Sequence, residues 1–232
     1  HMLALDKCLG DLQTAIRETG ISENTIVVFT SDHGEMMGSH GVPPRQKQVP
    51  WSESVRIPFL VNYPAKFGNR RIDIDAPINV TDVLPTLLSL AGLPVPKKID
   101  GESMADVMEN PGLKKNKAAL VMNVSPFAGK ADEYRGVYTS RYAYVKKLSG
   151  PWFLFDHETD PLQMNNLVGK PEYQQLQHEM EVALQKELKK AGDSFMPRQY
   201  YIDKWGYKLR PSGEIDYGEG AEVQGPDINK KR

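Results

Sequence analysis

The chain is poor in cysteine, in net charge and in long apolar runs. Cys8 is its one cysteine among 232 residues, so no disulfide forms within the chain. A disulfide-free sequence suits reducing and oxidising compartments alike. The net charge is -1, which gives no indication of nucleic acid or another polyanion as partner. No run reaches the roughly 18 apolar residues of a membrane-spanning helix. There is no internal repeat and no helix-opening glycine-rich motif for phosphate; Gly34, Gly38 and Gly41 read as loop positions that permit positive φ. His1-Met2 reads as a cloning remnant with no signal-peptide pattern after it, so the localisation is left open. What remains is ordinary for a globular protein of one or two domains, with 40% hydrophobic and 25% charged residues.

Residues 24–58 hold the densest chemistry. Ile26-Val27-Val28-Phe29-Thr30 is too short for a helix and has the composition of a strand buried on both faces. It stops at Ser31-Asp32-His33-Gly34, an acid beside an imidazole at the strand's carboxyl end, the rim where open α/β sheets bind ligands. A second strand is expected over residues 57–63. Between the two lies a loop of about 25 residues, a length that favours function over mere connection.

Around it the pattern is α/β. Residues 3–19 predict an amphipathic helix with Leu5, Leu9, Leu12 and Ile16 on one face and Cys8 near it as a small core residue. A helix capped by Thr81 or Asp82 runs to Ala91, with Val83, Leu84, Leu87, Leu88 and Leu90 as its buried side. Beyond a Pro/Gly/Lys/Asn cluster at 110–117 come four short strands, at 119–122, 134–139, 142–146 and 152–155, the last three an antiparallel meander. Residues 171–190 predict a helix with an apolar stripe of Leu176, Met180, Ala183, Leu184 and Leu188. Tyr200, Tyr201, Trp205 and Tyr207 read as an extended tail packing back, and Glu219 onward as poorly ordered. His157 and His178 read as surface residues.

S-D-H-G-x-x-x-G-x-H-G at 31–41, Lys47, and E-S-x-R-I-P-F at 53–59 together resemble the sulfatases of the alkaline phosphatase superfamily. The resemblance continues through D-G-x-S at 100–103 and F-D-x-x-x-D-P at 155–161, where Gln163 and Met164 stand near the family's usual Glu. It reaches almost to Gly192 and covers only the carboxyl-terminal portion of such an enzyme. It implies that residues 1–117 form the carboxyl-terminal part of a mixed sheet flanked by helices. Residues 118–232 would follow as a small antiparallel sheet with a long helix and a tail.

The resemblance also implies roles. Asp32 and His33 would ligate one divalent cation, normally calcium, although imidazole suits calcium less well than oxygen does. Lys47 aligns with a lysine that contacts sulfate, but the spacing carries two extra residues around Pro43-Pro44-Arg45. Either Lys47 still reaches the sulfate or Arg45 takes that role. His40 is a substrate contact, a donor behind the site, or a structural hydrogen-bond partner. Glu53 and Arg56 read as a structural ion pair or caps. The family nucleophile is a formylglycine made from Cys or Ser in Cys/Ser-x-Pro-Ser-Arg. Cys8 is followed by Leu9-Gly10-Asp11-Leu12, and no other stretch matches. The chain alone is therefore expected to be inactive. The implied substrate is a sulfate ester, with sulfated glycans a common family target; the implied partner is the missing amino-terminal half or a second copy. A related phosphonate or phosphodiester hydrolase and a non-catalytic binding module are the alternatives.

Overall fold

The computed structural model describes residues 1–113, 115–124 and 132–216. The chain divides into two compact units, His1–Asp32 with Ile57–Lys115, and His33–Arg56 with Asn116–Arg232. The sequence reading divides the chain once, after residue 117, whereas residues 33–56 group with the second unit. The expectation for Glu219 onward lies outside the described residues.

The first unit opens with α1 (Met2–Glu18), whose apolar stripe is as expected but contains no buried residue. Leu12 is 62% exposed, and Cys8 is exposed rather than in a core. Strand β1 (Val27–Thr30) pairs antiparallel with β2 (Phe59–Asn62), Val28 opposite Val61. The expected burial of β1 on both faces does not occur: Val27, Val28 and Phe29 are half-buried and Thr30 is exposed. Among the described residues β2 is its only partner strand.

A short helix, Pro64–Phe67, follows β2, and then comes α4, residues Val80–Leu90, numbered after α2 (Ser52–Val55) and α3 (Pro64–Phe67). Its cap is Asn79 rather than Thr81 or Asp82. Asp82 completes a capping box by accepting from Asn79 N at 2.7 Å. The packed side of α4 also departs from the leucine stripe: Asp82, Pro85, Thr86 and Leu90 are buried, while Leu84 is 56% exposed. The D-G-x-S turn explains why. Asp82 Oδ1 accepts from Glu102 N at 2.9 Å, and Thr86 Oγ1 accepts from Met104 N at 2.9 Å. The turn lies so close that a Cβ on Gly101 would sit 1.9 Å from Thr81 O. Helix α5 (Ala105–Glu109) continues from it.

The second unit is built on an antiparallel meander of β3 (Ala119–Asn123), β4 (Tyr134–Tyr138), β5 (Tyr142–Lys147) and β6 (Gly150–Asp156), in that order. Alternation assigns its residues to two clusters. Val137, Tyr144 and Leu154 pack with Met180, Leu184 and Leu188 of the long helix α6 (Gln174–Ala191). Each such buried Leu contributes on the order of 2 kcal/mol by area removed from water. Tyr134, Val145, Phe153 and Phe155 form the other cluster, and Trp51 packs against it. Tyr201 and Ile202 do pack back, but within a helix, α7 (Arg198–Trp205), that no periodicity announces. Fully buried Arg135 holds this segment: it pairs with Asp193, donates to Tyr201 Oη at 3.4 Å, and lies 4.7 Å from the Phe195 ring centroid.

Candidate functional site

The loop His33–Arg56 carries four of the five residues singled out, and Asp32 precedes it. Asp32 is exposed at the end of the first unit, with Ser31 Oγ donating to Oδ1 at 3.5 Å. His33 is half-buried, and its Nδ1 lies 2.7 Å from Gly34 O. A proton on Nδ1 makes that contact a hydrogen bond and places the ring's lone pair on Nε2, one of the two nitrogens through which imidazole binds metals.

The donor set is small for calcium, which takes six to eight oxygens. Among the described residues no group of three or more His, Cys, Asp or Glu side chains is disposed to hold a metal ion. One carboxylate and one imidazole do not by themselves make a calcium site.

Left-handed backbone shapes the loop. Met37, His40 and Arg45 have φ of 51°, 53° and 70°, conformations uncommon outside glycine. Glu35 steadies this part, since its Oε1 accepts from Met36 N at 3.0 Å and from Arg45 N at 2.9 Å. The His40 ring stacks on Trp51 with centroids 3.7 Å apart and planes within 5°, and its Nε2 lies 3.3 Å from Glu53 Oε1. Its side chain is only 10% exposed. The structure thus gives His40 an internal partner, and it pairs Glu53 with His40 where the sequence suggested Arg56.

Ser54, which sequence reasoning missed, joins the two ends of the loop. It is buried, accepts from Gly34 N through its carbonyl at 2.8 Å, and donates from Oγ to Lys47 O. The backbone beside His33 and the backbone of Lys47 therefore meet at one residue, while the Lys47 side chain is exposed. A Cβ on Gly34 would lie 1.8 Å from Glu53 O, so only glycine fits there.

Gln163 was also missed as part of the site. It is 2% exposed with φ of 55°, and its Oε1 accepts from Ser52 N at 2.8 Å. Its only sequence signal is a departure from the usual Glu in a turn motif. His157 is a correction: it is half-buried, not on the surface. Both ring nitrogens are shielded, with no hydrogen-bond partner among the described residues. The ring lies 5.3 Å from that of Tyr138, and burial first, then Arg56, pulls its pKa below the ordinary value.

Residues 38–190 match the family described as N-sulphoglucosamine sulphohydrolase, C-terminal. The chain is 44% identical to an ulvan-active sulfatase of Formosa agariphila, over 97% of this chain and 46% of that protein. It is 31% identical to an N-acetylglucosamine-6-O-sulfatase of Bacteroides thetaiotaomicron, over 83% of this chain and 35% of that one. A solved structure of a protein in complex with its substrate D-glucosamine-2-N,6-O-disulfate superposes with a TM-score of 0.69 at 29% identity, covering 83% of this chain and 40% of that one. A phosphonate monoester hydrolase of Agrobacterium radiobacter shares the fold at 20% identity, with a TM-score of 0.65 over 92% of this chain and 43% of that one. The chain thus spans less than half the length of these relatives.

Proposed function

From a chain that belongs to the sulfatases of the alkaline phosphatase superfamily and matches their carboxyl-terminal portion, we propose a part of a sulfuric ester hydrolase that contributes Asp32 and His33 to a cation site and Lys47 to sulfate binding. The observation that carries this reading is Ser54, whose bonds to Gly34 and Lys47 fasten the backbone after His33 to that of the lysine. Lys47 is preferred to Arg45 for the sulfate contact because the motif from Lys47 to Pro58 follows in the family's register. Arg45 instead lines the approach, and His40 stands behind the loop surface.

Asp32 and His33 would share a divalent cation with ligands from outside this chain, and such a cation lends positive charge beside the sulfate. The Lys47 ammonium would hold a sulfuryl oxygen and offset charge that grows on it as the S–O bond breaks. Neither group is a nucleophile. The isolated chain therefore has no turnover, and the upstream half is its functional partner. The substrate is a sulfated glycan, the class suggested by the names of the ulvan-active and glucosamine-sulfate relatives.

The test uses the full-length protein with an aryl sulfate, a sulfated polysaccharide and a phosphonate monoester in parallel. Sulfate esters should be hydrolysed in preference. Lys47→Ala should lower kcat/KM by about 100-fold or more, and Arg45→Ala by far less. Turnover of Lys47→Ala within twofold of the parent would overturn the assignment, as would turnover by the isolated chain.

A further inference from the structure

We infer that the antiparallel sheet of the second unit sets the shape of the site loop through Gln163 and Trp51, which makes these two positioning residues for Lys47 and His40. The inference rests on the sulfatase reading only where it predicts activity; the structural part stands by itself.

The F-D-x-x-x-D-P turn presents Gln163. Asp160 N donates to Asp156 O at 2.7 Å, and the Asp160 carboxylate accepts from Met164 N at 3.0 Å and Asn165 N at 2.7 Å. Asn166 fastens the turn to β6, accepting from Leu154 N at 3.0 Å and donating to Trp152 O at 2.7 Å. The turn so held leaves Gln163 in a left-handed conformation with its amide pointing at the loop.

An amide suits this position because it must accept and donate at once. Oε1 takes the Ser52 N–H, one of the unpaired donors at the start of α2. Nε2 donates to Tyr138 Oη at 3.2 Å, and Tyr138 Oη donates to Pro50 O. Burial pushes the Tyr138 phenol up to about 12, so it keeps the proton it donates. Asn123 Nδ2 adds a bond to Gln48 O at 3.3 Å. Two carbonyls and one N–H within residues 48–52 are thereby fixed by side chains of the sheet and its turn.

Trp51 transmits the same constraint sideways. One side of its ring meets Phe153 and Phe155, with centroids 4.3 and 5.6 Å away, and His40 stacks on it. Three residues on, Ser54 passes the constraint to Lys47 O. Replacing Gln163 strands the part-buried Ser52 N–H and removes a donor to the Tyr138 phenol, which keeps its own bond to Pro50 O, a loss felt first by residues 46–54.

The test has a structural and a kinetic arm. In the full-length protein, Gln163→Leu should speed amide hydrogen exchange in residues 46–54 at least tenfold, leaving β4–β6 and α6 protected. Gln163→Glu keeps the acceptor for Ser52 and should restore much of that protection. Gln175→Ala, on the exposed side of α6, is the control. Kinetically, Gln163→Leu should cut kcat/KM about tenfold, and Lys47→Ala should cost at least fivefold less in that background than in the parent. Unchanged exchange at 46–54, or costs that simply multiply, would overturn the inference. Loosened exchange together with an inert Lys47→Ala would support the structural part and defeat the sulfatase role of Lys47.

Discussion

Gly34 has no room for a side chain, because the Glu53 carbonyl occupies the place of its Cβ. Gly34→Ala must push the backbone at residue 34 away from that at residue 53 and break the Gly34–Ser54 bond. We expect a loss of about 1–3 kcal/mol from overpacking, read as a lower midpoint in denaturant titration. Ser54→Ala should be milder in stability yet comparable in its effect on Lys47, since only the bond from Oγ is lost. At this scale the sequence discloses the residues whose side chains carry charge. Asp32 and His33 stand out because an acid beside an imidazole at a strand's end suggests chemistry, and Lys47 stands out only through the family resemblance. Ser54, Glu35 and Gln163 stay hidden because they act on backbone N–H and C=O groups, which every residue type possesses. Cys8 misleads in the other direction, its apolar neighbours suggesting a burial that does not occur.

Among the elements, the end of β6 holds two neighbouring groups that respond to acid. The Arg141 guanidinium grips Asp156 through Nε at 3.0 and 3.1 Å and through a terminal nitrogen at 2.7 Å, and this holds the carboxyl below its ordinary range. The unfolded chain then takes up the proton more readily than the folded one. The stabilisation is complete above the ordinary aspartate value of about 3.9 and falls away as pH drops below it. His157, next in sequence, is also depressed, chiefly by burial, so the folded state resists its protonation from about pH 6.5 downward. Thermal melts across this range should show a two-part decline. Arg141→Ala should flatten the lower part, and His157→Leu the upper part. Helix α6 is legible in the sequence because its 3.6-residue stripe has one buried side to satisfy, and the meander because its short strand-like runs are parted by tight turns. Helix α4 was legible in position but not in orientation, because polar ties from Asp82 and Thr86 to the D-G-x-S turn outweigh its leucines. Helix α7 carries no stripe and owes its place to Tyr201 and Ile202 against the sheet unit.

Across the whole chain, the two units differ in how much apolar surface they cover. The second has both faces of its sheet packed. The first leaves Leu3, Leu5 and Leu12 of α1 and Val80 and Leu84 of α4 exposed. Such side chains favour association, so the isolated chain should self-associate with concentration in light scattering. Leu12→Lys with Leu84→Lys should reduce that, and a strictly monomeric parent would contradict the expectation. The α/β class and the family portion could be read from motifs and element order. The grouping of residues 33–56 with the second unit could not, since the anchors at Trp51 and Gln163 lie 112 positions apart in the numbering, with no periodicity to join them. Arg135 bears on anyone shortening the protein. Its guanidinium is sealed beneath Asp193, Phe195 and Tyr201, all beyond the family match that ends at residue 190. Trimming after α6 would strip that guanidinium of its carboxylate and its aromatic cover and open it to water, with the Asn123 and Tyr134 carbonyls still accepting from it, so a shorter version should melt at a lower temperature than the parent.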